Sequence, residues 1–133
     1  MTIKDLCKKA HKLAIDKGFW NFDRYSTGKK IKFVLKKRNL SELLMLIVSE
    51  LGEACEALRK NIRQQPEGYY TIDNKNKLFK SKEWIKDTFE DELADAVIRI
   101  CDLAESEGID LEWQIQKKLE YNKTRPHKHG KEF

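Results

Sequence analysis

Two matched helical stretches constrain the fold of this chain more than any other feature. Ser41–Lys60 reads SELLMLIVSELGEACEALRK and Thr88–Glu107 reads TFEDELADAVIRICDLAESE. In both, apolar residues recur every three to four positions, the period of a helix that buries one face. Each stretch also carries two carboxylates three residues apart, Glu50 and Glu53 in the first and Glu92 and Asp95 in the second. Residues at that spacing lie on neighbouring turns of one face, so two such helices side by side would gather four carboxylates.

The neighbours of these acids set them apart from ordinary surface glutamates. Glu50 and Glu53 share a stripe with Leu46 and Ala57, and the positions four after Glu50, Glu53 and Glu92 are all alanine, where a solvated helix face would place Lys or Arg. Asp95 alone has a cation at that spacing, Arg99. Converging like charges raise pKa values and oppose folding unless a cation holds them. An all-oxygen donor set suits Mg2+ or Mn2+ rather than zinc, and the ExxH pattern of di-iron bundles is absent from both helices. Magnesium commonly shares its shell with water and substrate phosphates, which predicts a phosphate-bearing ligand and hydrolysis of a phosphoanhydride.

Two further helices are expected. Thr2 with Asp5 reads as a cap pair for a first helix carrying Ile3, Leu6, Cys7, Ala10, Leu13 and Ala14 and closing at Gly18. Asn39 with Glu42 caps the second helix, whose broad face is Leu43, Leu44, Ile47, Leu51, Ala54 and Leu58. Thr88 with Asp91 caps the third, with Phe89, Leu93, Ala96, Val97, Ile100, Leu103 and Ala104 along it. Asp110 caps a fourth with Leu111, Ile115, Lys118 and Leu119, ending near Asn122 ahead of Pro126. Between Phe19 and Arg38 the period fails, and that stretch reads as a loop. The segment 66–80 holds two short β-capable runs around Asn74, Lys75 and Asn76, an inserted loop or hairpin between the second and third helices. The expectation is an all-α protein, an antiparallel four-helix bundle in one domain spanning residues 1–133. Ala94, Ile98 and Cys101 fall off the main stripe of the third helix and predict a second apolar surface for a subunit interface.

Charge and composition narrow the function classes. The 133 residues carry a formal net charge of +5. The excess lies in Lys29–Arg38 and the C-terminal tail without regularly interleaved aromatics, so a nucleic-acid partner is not expected and a solvated run is the simpler reading of Lys29–Arg38. The start of the chain lacks the apolar run of a secretory signal and no stretch is long and apolar enough to span a membrane, which predicts a cytoplasmic protein with no membrane partner. Cys7, Cys55 and Cys101 lack metal-ligand spacing and read as reduced core residues. Among Trp20, Phe22, Tyr69, Tyr70 and Trp84, packing is the expected role for each alone, with one, Trp20 foremost, as a candidate to stack a nucleobase. His11 reads as a satisfied or exposed histidine. For His127 and His129, phosphate contact, solvation and an adventitious metal site all stay open.

Glu50-Leu-Gly-Glu53 with Glu92-Leu-Ala-Asp95, in the contexts SELGEACEALRK and EDELADAVIRICDLA, resembles the ExxE…ExxD signature of the MazG-like all-α nucleoside triphosphate pyrophosphohydrolases. The tail Tyr121–Phe133 resembles the closing segment of some members, and the likeness covers the second to fourth helices, a little over half the chain. It implies hydrolysis of a (d)NTP to the monophosphate and pyrophosphate with Mg2+, in a homodimer or homotetramer. Carried over, Glu50, Glu53, Glu92 and Asp95 would be metal ligands, with Glu53 or Glu50 also orienting or deprotonating the attacking water. Asn122, Lys123 and Arg125 would contact phosphates. The 38 residues between Glu53 and Glu92 exceed the interval usual in that family, so the insertion would reshape the base pocket or build an interface. The rival expectation is a non-catalytic helical module that binds nucleic acid or a partner protein through its basic tail.

Overall fold

The computed structural model describes residues 1–64, 70–72, 78–80 and 86–132. In chain order the elements are α1 (Ile3–Asp16), β1 (Phe22–Thr27), β2 (Lys30–Leu35), α2 (Leu40–Arg59), β3 (Tyr70–Ile72), β4 (Leu78–Lys80), α3 (Phe89–Ser106) and α4 (Leu111–Lys123). Two compact units divide them, Met1–Lys37 with Cys101–Phe133 in the first and Arg38–Ile100 in the second. Among the described residues no helix is long and apolar enough to cross a membrane.

The helix starts follow their capping residues. Thr2 and Asp5 form a reciprocal box, the Asp5 N–H donating to Thr2 Oγ1 at 3.0 Å and the Thr2 N–H to Asp5 Oδ2 at 3.0 Å. Asn39 accepts from the N–H groups of Ser41 and Glu42, and Asp110 from that of Trp113. At the far end of α2, Asn61 takes a left-handed φ of 55°, which lets the Ile62 N–H reach the Ala57 carbonyl at 2.8 Å.

The all-α expectation is overturned by two antiparallel hairpins. β1 and β2 pair over their full length from Phe22–Leu35 to Thr27–Lys30, turning through Gly28 and Lys29. Gly28 has φ +61°, which a two-residue hairpin turn with glycine leading requires. The runs FDRYST and KIKFVL are rich in aromatic and β-branched residues, which favour a pleated strand over a helix. β3 and β4 pair from Tyr70–Lys80 to Ile72–Leu78, within the expected insertion.

In the first unit a small core of Cys7, Ala10, Cys101 and Ala104 is flanked by Ile3, Leu6 and Leu111. Small residues there let the helices approach closely. The Lys4 N–H, one of the first-turn donors a helix cannot satisfy itself, donates to Glu112 Oε2 on α4 at 3.0 Å. Cys7 and Cys101 are buried as expected, and burial beside Cys7 pushes the Cys101 thiol up to about 12; Cys55, expected in a core, is exposed.

In the second unit the join between α2 and α3 is polar. The Phe89 N–H reaches the Ile62 carbonyl at 3.1 Å, Arg63 donates to Glu90 at 2.7 Å, and the Arg63 guanidinium lies over the Phe89 ring. The buried line of α2 is Leu43, Ile47, Glu50, Ala54 and Ala57. Leu44, Leu51 and Leu58, expected on that face, are exposed, as are Leu93, Val97 and Ile100 on α3. Both helices are thus turned so that Glu50 and Glu92 point inward.

Candidate metal centre

Glu50 lies in the middle of the buried line of α2 and is only 6% exposed; Glu92, in the first turn of α3, is 5% exposed. Asp95, one turn further along α3, is half-buried. One carboxylate oxygen from each of Glu50, Glu92 and Asp95 lies within 4.8 Å of the others. Glu53 stands outside this tight group and is exposed. Its charge still reaches Glu92. Burial, then the Glu53, Glu50 and Asp95 charges, push the Glu92 carboxyl up to about 7. Asp95 is raised as well, by burial first and then by the Asp91 and Glu50 charges, which outweigh the opposing pull of Arg99.

Arg99 takes a different partner from the one its spacing suggested. Its Nε donates to Glu50 Oε1 at 2.5 Å, a charge-assisted bond across from α3 to α2. One guanidinium therefore balances part of a group of three acids. A cation in that space suits the remainder. Oxygens around Mg2+ at about 2.0–2.1 Å lie roughly 3–4 Å apart, so small side-chain movements would bring these three into one shell. The donors are all carboxylate oxygens, which fits Mg2+ or Mn2+.

The other expected site residues lie in the first unit. Trp20 is 5% exposed, donates its indole N–H to both oxygens of Asp102 at 3.0 and 3.1 Å, and meets the His11 ring edge-on at 5.1 Å. In this structure its ring is packed against His11 and Asp102. His11 Nδ1 lies 2.6 Å from Asp102 Oδ1, so the histidine is satisfied, as expected. This Asp102–His11–Trp20 network was missed in the sequence, where nothing in the spacing of three separate segments signals it. Asn122 is half-buried, and its Oδ1 is shut off from solvent with no hydrogen-bond partner among the described residues. Lys123 is exposed, and the Arg125 guanidinium sits 5.9 Å from the Tyr121 ring centre. Tyr69, Trp84 and the side chain of Tyr70 lie outside the described residues, and Phe22 is exposed on β1.

No protein-family model, curated protein or solved structure matches this chain. The functional reading therefore rests on the carboxylate geometry and on the short motifs that hold it.

Proposed function

We propose that this chain is a Mg2+-dependent nucleoside triphosphate pyrophosphohydrolase, converting a dNTP or a modified NTP to its monophosphate and pyrophosphate. The observation that carries the reading is the convergence of Glu50, Glu92 and Asp95, two of them buried, on adjacent helices. Three acids gathered this closely, two of them buried, are unfavourable without a cation, and their oxygens are those magnesium prefers. Glu50, Glu92 and Asp95, with Glu53 beside them, would hold Mg2+, which would supply charge neutralisation for the triphosphate and lower the pKa of a bound water.

The chain's own residues do the rest. Water oxygen attacks the phosphorus next to the sugar, the bond from that phosphorus to the bridging oxygen breaks, and pyrophosphate departs with the bridging oxygen. Glu53 orients the water and accepts its proton, with Glu50 as the second catalytic carboxylate. Asn122, Lys123 and Arg125, which the family resemblance assigns to phosphate contact, carry donors that suit that role. A homodimer or homotetramer is part of the proposal, supported by the exposed apolar residues of α2 and α3. A cytoplasmic setting fits it too, with three free cysteines and a nucleotide substrate.

The test is pyrophosphate release from a panel of dNTPs and NTPs with Mg2+ and with EDTA, using wild type, Glu53→Gln and Asp95→Asn, each checked for folding by circular dichroism. Metal-dependent release lost in both folded variants is the expected result. Absence of release from every nucleotide, or activity indifferent to both substitutions, overturns the reading.

A further inference from the structure

Much of the basic charge of this chain lies on and just after one element. Residues 22–37, the β1–β2 hairpin and the two residues after it, hold Arg24, Lys29, Lys30, Lys32, Lys36 and Lys37 against a single acid, Asp23. Six cations less one anion match the whole formal charge of +5, from 27 basic and 22 acidic residues, so the remaining residues sum to zero. None of the six forms an ion pair with a described residue.

The strand register interleaves these cations with rings. Directly opposed residues in an antiparallel pair share a face. Phe22–Leu35, Arg24–Phe33 and Ser26–Ile31 make one face, and Asp23–Val34, Tyr25–Lys32 and Thr27–Lys30 make the other. Each face sets a cation beside an aromatic ring, Arg24 with Phe33 and Lys32 with Tyr25. The rings are open to solvent, Phe33 at 68%, Tyr25 at 53% and Phe22 at 50%. Along both strands only Asp23 and Leu35 are even half-buried. A ribbon of two strands with both faces wet has no core of its own and gains from a ligand that covers it.

We infer that the β1–β2 hairpin binds single-stranded nucleic acid, stacking bases on Phe33, Tyr25 and Phe22 and holding backbone phosphates with Arg24, Lys30 and Lys32. Rings take unpaired bases of any identity, and the neighbouring cations track the strand. A duplex offers no free base face to those rings. An anionic lipid surface favours an element with apolar residues on one face and cations on the other, whereas both faces here carry both.

The test is fluorescence anisotropy of the full-length protein with a labelled oligothymidylate and the matching oligouridylate in EDTA, each longer than the roughly 4–16 nucleotides one platform covers. Binding is expected to weaken linearly in log–log terms with salt, by about 0.7 per phosphate neutralised. Phe33→Ala and Tyr25→Ala should each weaken it by about 5- to 150-fold with the salt slope kept. Lys32→Gln should reduce the slope by about 0.7. Phe33→Trp, which keeps a stacking ring, should retain binding and so separates lost stacking from a lost hairpin. Lys128→Gln with Lys131→Gln, in the C-terminal tail, should leave affinity unchanged. The inference is overturned by no binding at low salt, by affinity indifferent to Phe33 and Tyr25, or by affinity lost with the tail variant. Tighter binding to a duplex of equal length overturns it as well, as does retention on phosphatidylserine vesicles that the oligonucleotide does not displace.

Discussion

At the residue scale the unusual feature is a carboxyl whose proton the fold retains. Glu92, raised to about 7 from an ordinary 4.5, faces Glu50, Glu53 and Asp95, with Arg99 bonded to Glu50. A group that binds its proton more tightly folded than unfolded stabilises the protein fully below its unfolded value, and that contribution is lost as pH rises through the folded value. In EDTA, the melting temperature should therefore fall as pH rises from about 4.5 to about 7, and Glu92→Gln should flatten that fall. Mg2+ competes with the same proton, so its stabilising shift should be larger above pH 7 than below it. Arg99→Gln removes the counter-charge from buried Glu50; because Arg99 is part-exposed, we expect a loss of only about 1–2 kcal/mol without metal. Saturating Mg2+ should restore most of that loss in chemical denaturation. Three-residue spacing made Glu50, Glu92 and Asp95 legible, because it puts acids on one side of each helix. It could not say how far α2 is rotated about its axis. Three residues advance a helix by about 300°, which leaves Glu53 roughly 60° round from Glu50 and on the exposed side.

At the scale of elements, what the sequence announces is what involves neighbours in the chain. Caps at Thr2, Asn39 and Asp110 marked helix starts because a polar side chain and the N–H groups it serves are two or three residues apart. Asn39→Ala should cost about 1 kcal/mol in denaturant unfolding, and Asn39→Asp should recover it. The β1–β2 hairpin was illegible for a related reason. Period-two alternation records one buried face, and this ribbon buries neither, so its signal was confined to β-favouring residues on either side of Gly28-Lys29. The Asp102 network joins α1, Trp20 and α3 across 82 and 91 positions of chain. Asp102→Ala would strand the Trp20 indole N–H and the His11 ring nitrogen, both largely buried, and should destabilise by about 2–4 kcal/mol. Asp102→Asn, which keeps an acceptor, should lose less; equal losses in the two variants would show that the network contributes by packing alone.

For the whole molecule, the distribution of apolar residues departs from what the helix stripes predicted. The buried positions are dominated by small residues, Cys7, Ala10, Ala54, Ala57, Ala96, Cys101 and Ala104, while Leu44, Met45, Val48 and Leu51 on α2 and Leu93, Val97, Ile98 and Ile100 on α3 are exposed. Of Cys101's two expected places, core and interface surface, the core is the one observed, whereas Ile98 is exposed as an interface residue would be. Large exposed aliphatic groups gathered on one pair of helices are characteristic of an interface rather than a free surface, because each gains about 25 cal/mol per Å2 when covered. The apolar pattern was therefore legible as helical but not as internal: a stripe looks the same whether it packs within one chain or against a copy. Sedimentation equilibrium should find wild type as a dimer or tetramer, and Val48→Lys or Val97→Lys should shift it toward monomer with a lower melting temperature. The magnitude discriminates. A lysine placed on a free surface changes stability by no more than about 0.5 kcal/mol and leaves mass unchanged, whereas one placed in an interface core opposes association through desolvation of its charge. A wild-type monomer whose melting temperature is indifferent to both lysines would leave these residues as plain surface and remove the oligomer from the proposal, while the carboxylate centre and its metal dependence would still be tested by pyrophosphate release.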